Sequence, residues 1–261
     1  MDTVTEHVAE LMSDELRAEL DKLALACRIL EMEGHGSRTL GHAALRDPEG
    51  RGMWLKRWGL TLGEVFDHTD FQLIDFDGKL LAGDGKKRHS EWPIHAGILK
   101  ARDDLNAVAH THPTYGRIFS ASTEKLRPVS NAGSYFFEPP PRYTVTSELI
   151  RKPEEGDALA EVLGPRHLAV FLRNHGVVFC GNTVEHMTII GIHLEEACRE
   201  MLAISASGLD WSWPEGEEQE RKFGSIGSPR NMVLYFQHFA NKLAAAQSLG
   251  HPSLPKDRRG I

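Results

Sequence analysis

Ala107-Val108-Ala109-His110-Thr111-His112-Pro113 runs from three small apolar residues straight into two histidines and a proline. The apolar start predicts a short buried strand, Ala107 to His112, and the proline ends it. Residues i and i+2 of a strand point to the same face, so His110 and His112 can present both rings to one ion. A third ligand must come from elsewhere. Leu168 to Leu172 and Val177 to Cys180 read as two further apolar strands, hinged at Asn174-His175-Gly176. A turn after a strand aims its side chain past the sheet's edge, which makes His175 the best-placed third donor. Three neutral imidazoles leave coordination positions open, the arrangement of a catalytic rather than a sealed structural ion.

Outward from this point, strands and helices interleave. Ser13 to Met32 carries Leu16, Leu20, Leu23, Leu25, Cys27, Ile29 and Leu30 on a helical face. Ala43 to Arg46 and Met53 to Lys56 pair across the turn Asp47-Pro48-Glu49-Gly50. Phe71 to Phe76 ends in Asp77-Gly78, a hairpin signal, with Lys79 to Ala82 returning. Pro93 to Arg102 is predicted as a helix behind Ser90, its expected N-cap, with Glu91 in the opening turn. Thr183 to Ser207 and Pro229 to Ser248 are long helices, and 209–230 reads as a loop between them. Hairpins among helices favour a layered α/β/α sandwich with a central mixed, largely antiparallel sheet over a parallel one. Residues 1–208 are expected to form the metal-dependent catalytic domain. Residues 209–261 are expected to add a loop and helix packing on that domain or on a neighbouring subunit.

The bulk numbers narrow the function. The 261 residues carry a net charge of −7, with 41% hydrophobic and 26% charged residues, and the isoelectric point is near 6.1. That balance argues against general affinity for nucleic acid or anionic membrane and leaves small anionic substrates open. No apolar run reaches the roughly 18–20 residues of a membrane span. The start, MDTVTEHVAELMSDELRAEL, is acidic and helical in pattern, without the layout of a secretion signal. Three widely spaced cysteines, Cys27, Cys180 and Cys198, read as reduced core thiols. A cytoplasmic protein is expected.

Taken together, His89-Ser90-Glu91-Trp92-Pro93-Ile94-His95, the 19 positions from Glu91 to His110 and the 65 from His110 to His175 resemble the class II aldolase/adducin family. Gly41-His42-Ala43-Ala44-Leu45-Arg46-Asp47-Pro48 and the Asp75-Phe76-Asp77-Gly78 hairpin extend the resemblance over residues 15–207. The resemblance implies one divalent ion per chain (Zn, Mn or Fe) on His110, His112 and His175, with Glu91 as acid or base. It also implies a homotetramer with active sites at subunit boundaries. The family spans sugar-phosphate aldolases, aromatic-acid decarboxylases, an Fe(II) oxygenase branch and non-catalytic adducins. Its catalytic members share a metal-stabilised enolate.

This chain departs from the sugar-phosphate branch where phosphate is held. Gly41-His42-Ala43-Ala44 replaces a Gly-Asn-Ile/Val-Ser turn, Lys56-Arg57-Trp58-Gly59-Leu60 replaces Thr-Pro-Ser/Thr-Gly, and His89 replaces a serine. Bulky and basic groups there point to a flat, carboxylated substrate. Arg57, Arg142 and His89 are candidates to pair with a carboxylate. Trp58, Tyr115, Phe136 and Tyr143 are candidates to wall an aromatic ring; His35 and His42 flank the Gly-rich turn and are candidates to face the pocket. The expected reaction is decarboxylation of a hydroxylated aromatic or heteroaromatic carboxylate. Oxidative side-chain removal from an aromatic 2-oxo acid, sugar-phosphate cleavage and an adducin-like binding role are the alternatives.

Overall fold

The computed structural model describes residues 11–85 and 87–258, so the reading of the first ten residues as helical lies outside the described residues. Helix α1 (Asp14–Met32) opens on Ser13, whose hydroxyl accepts from the Leu16 amide at 3.2 Å, with Asp14 and Glu15 in the first turn. Both features stabilise a helix start, one by satisfying a free amide and the other by opposing the dipole. Strands β1 (His42–Arg46) and β2 (Met53–Lys56) form the expected hairpin, and β3 (Phe71–Ile74) and β4 (Leu80–Ala82) form the next. Strands β5 (Ala107–Thr111), β6 (Arg142–Tyr143), β7 (Ala169–Leu172) and β8 (Gly176–Gly181) complete one eight-stranded sheet in the order β4-β3-β2-β1-β5-β8-β7-β6. Only the β6–β7 pair is parallel, so the sheet is mixed and largely antiparallel.

Alternation along the central strands divides the core into two layers. Ala107 and Ala109 of β5, Val177 and Phe179 of β8 and Leu45 of β1 face one side. There they pack with α1, α5 (Val184–Ala206) and α7 (Pro229–Ser248). Val108, Val178, Cys180 and Ala44 face the other, against α2 (Trp92–Ala101) and α4 (Pro153–Leu163). This is the α/β/α sandwich. Helices α2 and α4 meet at Gly97 and Gly156, where a Cβ on either would strike the other helix's backbone. Met232, Phe236 and Leu243 carry α7 into the first layer's core.

Several local expectations are corrected. The N-cap position of α2 is Glu91, not Ser90, and its side chain makes no capping bond; the carboxylate is turned elsewhere. The 209–230 segment is not wholly a loop, because Gly216–Ile226 forms helix α6 with Glu217 and Glu218 in its first turn. Helix α3 (Thr114–Ser120), α4 and β6 were not foreseen. Alpha3 and β6 are too short to show a period, whereas α4 carries readable signals, an amphipathic pattern with Pro153 at its first position and Glu154 and Glu155 in its first turn. No described helix is long and apolar enough to cross a membrane.

Candidate metal centre

Beta5 delivers His110 and, just past its end, His112 onto the α2 side of the sheet. The β7–β8 turn brings His175 alongside them. Their potential ligand atoms lie within 4.8 Å of one another, with ring centroids 4.5, 4.9 and 5.1 Å apart. Asn174, immediately before His175, takes a left-handed backbone at φ 58°, a conformation asparagine tolerates better than most residues. After it, a Cβ on Gly176 would meet the Thr111 carbonyl at 2.6 Å and the rings of His112 and His110. The Asn-His-Gly order therefore follows from turning the chain tightly against the two other ligands.

Glu91 reaches into the same space from the start of α2. Its carboxylate oxygens stand 4.0 Å from His110 Nε2, 3.9 Å from His175 Nε2 and 3.8 Å from His42 Nε2. These separations exceed hydrogen bonding. They describe donor atoms gathered around a common centre rather than bonded to each other.

The donor set was tested against a divalent ion on its unsatisfied atoms. His110 Nε2, His112 Nδ1 and Glu91 Oε1 are buried and have no partner, whereas buried polar atoms are normally bonded. His110 Nδ1 lies 3.0 Å from the Val177 carbonyl; only a protonated nitrogen can donate there, so Nε2 carries the lone pair. Burial holds the imidazoles neutral. It pushes His112 down to about 4, aided by His175, Arg117 and Arg38, and lowers His110 and His175 as well. No proton need be displaced at neutral pH before a cation binds. Nitrogen and oxygen donors of this kind fit Zn, Mn or Fe. Burial raises Glu91 to about 7, against opposing effects of the Ile150 backbone and the Arg151 charge. A carboxyl group so tuned exchanges protons near neutrality.

Other expected residues fall into two groups. His89 is buried with its ring 4.5 Å from that of His42, on the Glu91 side. Tyr115, 37% exposed, opens α3 immediately beyond the His112-Pro113 turn. His89 therefore lies at the centre, whereas the amides of Tyr115 and Gly116 donate to Glu195 of α5 at 2.9 and 2.7 Å and hold that helix start to the other layer. Arg57 is instead paired with Asp70 and Asp84, both at 3.1 Å. Arg142 donates to the carbonyls of Phe119, Ser120 and Glu124 and stacks on Phe119 and Phe171. Both guanidinium groups are committed to structure. Tyr143 is fully buried in the α2–α4 core layer, and Phe136 packs in the opposite layer. Trp58 is exposed, with Lys87 over its ring. Lys56 is buried and donates to the Leu60 carbonyl at 2.5 Å, holding its own turn closed. His35 bonds Thr111 Oγ1 at 2.9 Å, on the face of β5 opposite to His110.

Sequence reasoning missed three arginines. Arg38 sits on the loop between His35 and His42, both anchored to β5, and holds φ 56°. Arg38 and Asn174 are the two non-glycine residues with left-handed backbone among those described. Arg117 lies on α3 one turn beyond Pro113, and Arg151 follows Ile150 beside Glu91. All three are exposed. The clue available in sequence was proximity to the ligand motifs.

A model of the class II aldolase and adducin N-terminal domain matches residues 21–202. A 3,4-dihydroxyphthalate decarboxylase of Arthrobacter keyseri is 28% identical over 241 residues, covering 87% of this chain and 94% of that protein. A 4-hydroxy-3-prenylphenylpyruvate oxygenase/4-hydroxy-3-prenylbenzoate synthase of Streptomyces roseochromogenus is 31% identical over 172 residues, 64% of this chain and 61% of that one. Among solved structures, the L-fuculose 1-phosphate aldolase from Glaciozyma antarctica superposes with a TM-score of 0.77 at 24% identity, over 95% of this chain and 94% of that one. With the layered fold and the matched segment enclosing Glu91 and all three histidines, the chain belongs to the class II aldolase and adducin N-terminal domain family.

Proposed function

We propose that this protein is a divalent-metal-dependent carbon–carbon lyase that decarboxylates a hydroxylated aromatic or heteroaromatic carboxylate. The observation that carries this reading is the wall beside Glu91. Where sugar-phosphate enzymes need small residues offering backbone donors, His42, His89 and His95 are packed side by side and held neutral by burial. Neutral imidazole rings, tilted against one another at 41° and 62°, make a bulky aromatic wall suited to a ring and a poor site for a phosphate dianion. The dihydroxyphthalate decarboxylase, matched over nearly its whole length, supports the same branch.

His110, His112 and His175 would hold the ion, which when bound supplies Lewis-acid stabilisation of developing negative charge. Arg38 and Arg117, whose charges reach His112, and Arg151, whose charge reaches Glu91, are the cations we assign to substrate carboxylates in place of Arg57 and Arg142. His89 borders the space for the ring. In the reaction the bond from ring carbon to carboxylate breaks and CO₂ leaves. Protonation of that same carbon comes first, drawing electrons from the neighbouring hydroxyl oxygen through the ring, so that the pair released from the breaking bond restores the aromatic π system. Glu91 supplies that proton, consistent with a carboxyl group raised to about 7. Val233, Leu234 and Tyr235 are exposed apolar residues spread around the outer side of α7, which we assign to contacts within a homotetramer of this cytoplasmic enzyme.

The test is CO₂ release and O₂ uptake, measured together on metal-loaded enzyme with hydroxylated aromatic dicarboxylates, aromatic 2-oxo acids and sugar phosphates. Anaerobic CO₂ release from a hydroxylated aromatic acid is expected. Strict O₂ dependence would replace this reading with the oxygenase, and sugar-phosphate cleavage without CO₂ would replace it with the aldolase.

A further inference from the structure

His42 has no part in the three-histidine set, yet it is buried and its Nε2 has no partner. It stands opposite His110 in the β1–β5 register, so the two side chains share a face of the sheet. Its Nε2 lies 3.8 Å from Glu91 Oε2, aimed into the space that Glu91 and His110 border. Its other nitrogen, Nδ1, is 2.6 Å from Nε2 of His95, which is completely buried on α2.

That contact restricts where the protons of the pair can sit. Two ring nitrogens 2.6 Å apart share a single hydrogen, so one N–H serves the pair. His95 Nδ1 makes no full hydrogen bond, but His95 meets the Val108 backbone, an interaction that favours a proton on its ring. With Nε2 occupied by His42, that proton belongs on Nδ1. His95 Nε2 then accepts, His42 Nδ1 donates, and His42 Nε2 is left with a lone pair facing the centre. His110 Nε2 and the Glu91 carboxylate present lone pairs to the same space.

We infer that His42 is a hydrogen-bond acceptor for a substrate hydroxyl, and that His95 is the positioning residue that fixes His42 in the accepting tautomer. The inference rests on the reading of the substrate as a hydroxylated aromatic acid and deepens it. It names the group that distinguishes a hydroxylated ring from a bare one. A buried acceptor left unpaired by the wrong ligand is an effective source of such discrimination, because its desolvation is then uncompensated.

The probes are phthalate, 3-hydroxyphthalate and 3-methoxyphthalate, titrated calorimetrically into zinc-loaded protein, with metal content measured for each variant. Wild type is expected to bind 3-hydroxyphthalate about tenfold more tightly than phthalate, and to lose that preference for the methoxy compound, which has no proton to give. H42F should bind 3-hydroxyphthalate no more tightly than phthalate, whatever its affinity for phthalate itself. H95L, which frees the His42 tautomer, should weaken the preference, and H95Q, whose amide oxygen can accept in place of Nε2, should restore it. If H42F does not fold, the contrast between H95L and H95Q decides.

Absence of a hydroxyl preference in wild type overturns the inference, as does a preference unchanged in H42F and H95L. Loss of zinc from H42F would make His42 a metal ligand instead. CO₂ release with an unaltered preference in the variants would sink the acceptor role and leave the lyase standing. A His42-dependent preference without CO₂ release from any hydroxylated acid would do the reverse.

Discussion

The two faces of β5 at its C-terminal end differ in one respect. On one face Thr111 meets His35, which is buried, bonded at 2.9 Å and packed edge-on against Phe179. On the other, His110, His112, His42 and Glu91 are equally hidden from solvent but leave nitrogen and oxygen atoms without partners. Both faces bury histidines and both hold them neutral. The difference is convergence: each face leaves an imidazole nitrogen without a partner, His35 Nε2 included, but the His110 face gathers His110, His112, His175, His42 and Glu91 into two overlapping sets of potential ligand atoms. Unsatisfied buried nitrogens are therefore informative where several converge with a carboxylate, since such groups cost stability and persist together where function needs them.

The comparison breaks most sharply at the metal. Wild type should carry about one divalent ion per chain, as a three-histidine catalytic site does, and His110→Ala or His175→Ala should abolish most of it by elemental analysis. His35→Leu should keep the ion and instead lose about 1–3 kcal/mol of stability, because Thr111 is left unpaired. Equal metal loss in His35→Leu and His110→Ala would erase the distinction between the faces.

The next effect is on rate. Glu91→Gln keeps the shape and hydrogen-bonding capacity of the side chain but removes its titrating proton. It should retain the ion and lose about 10²–10⁴-fold in turnover. Wild-type turnover in that variant would reduce Glu91 to an acidic residue at a helix start, placed there for the dipole.

The smallest effect concerns acid, and it belongs to both faces. Burial depresses His35 and His95 to about 3, His89 to about 2 and His112 to about 4, against roughly 6.5 in an unfolded chain. Between these values the unfolded state binds more protons than the folded one, so stability rises with pH across the window. It begins to fall as pH drops below about 6.5 and is lost progressively toward the folded values. Each such group contributes up to about 1.4 kcal/mol per pH unit. Urea unfolding of metal-free protein at pH 7, 6 and 5 should show this decline, and His35→Leu should lessen its slope by about one proton. A flat profile over that range would mean that these histidines are not held neutral.

The ligand set was legible in the sequence because its spacing is local. His110 and His112 share a strand face whatever the rest of the chain does, and Asn174-His175-Gly176 is a turn on its own chemistry. The hairpins and the two long helices were legible for the same reason: side-chain period and turn residues act over a few positions. Long-range partnership had no such signature. Arg57 and Arg142 carry the right chemistry for a carboxylate, but Asp70, Asp84 and three backbone carbonyls claim them. Arg38 looked like one more charge in a Gly-rich loop until His35 and His42 were seen anchoring that loop to β5.

The same division separates the wall of the site from its ligands. The sequence, through its family resemblance, set the expectation that His42 and His89 stand where smaller residues hold phosphate in the sugar-phosphate branch. Only the tertiary structure decided that His42 meets His95, 53 positions away, at 2.6 Å and turns a lone pair toward Glu91. Which nitrogen carries the proton depends on the carbonyl or ring that packing sets against it, and periodicity along one chain cannot encode that choice.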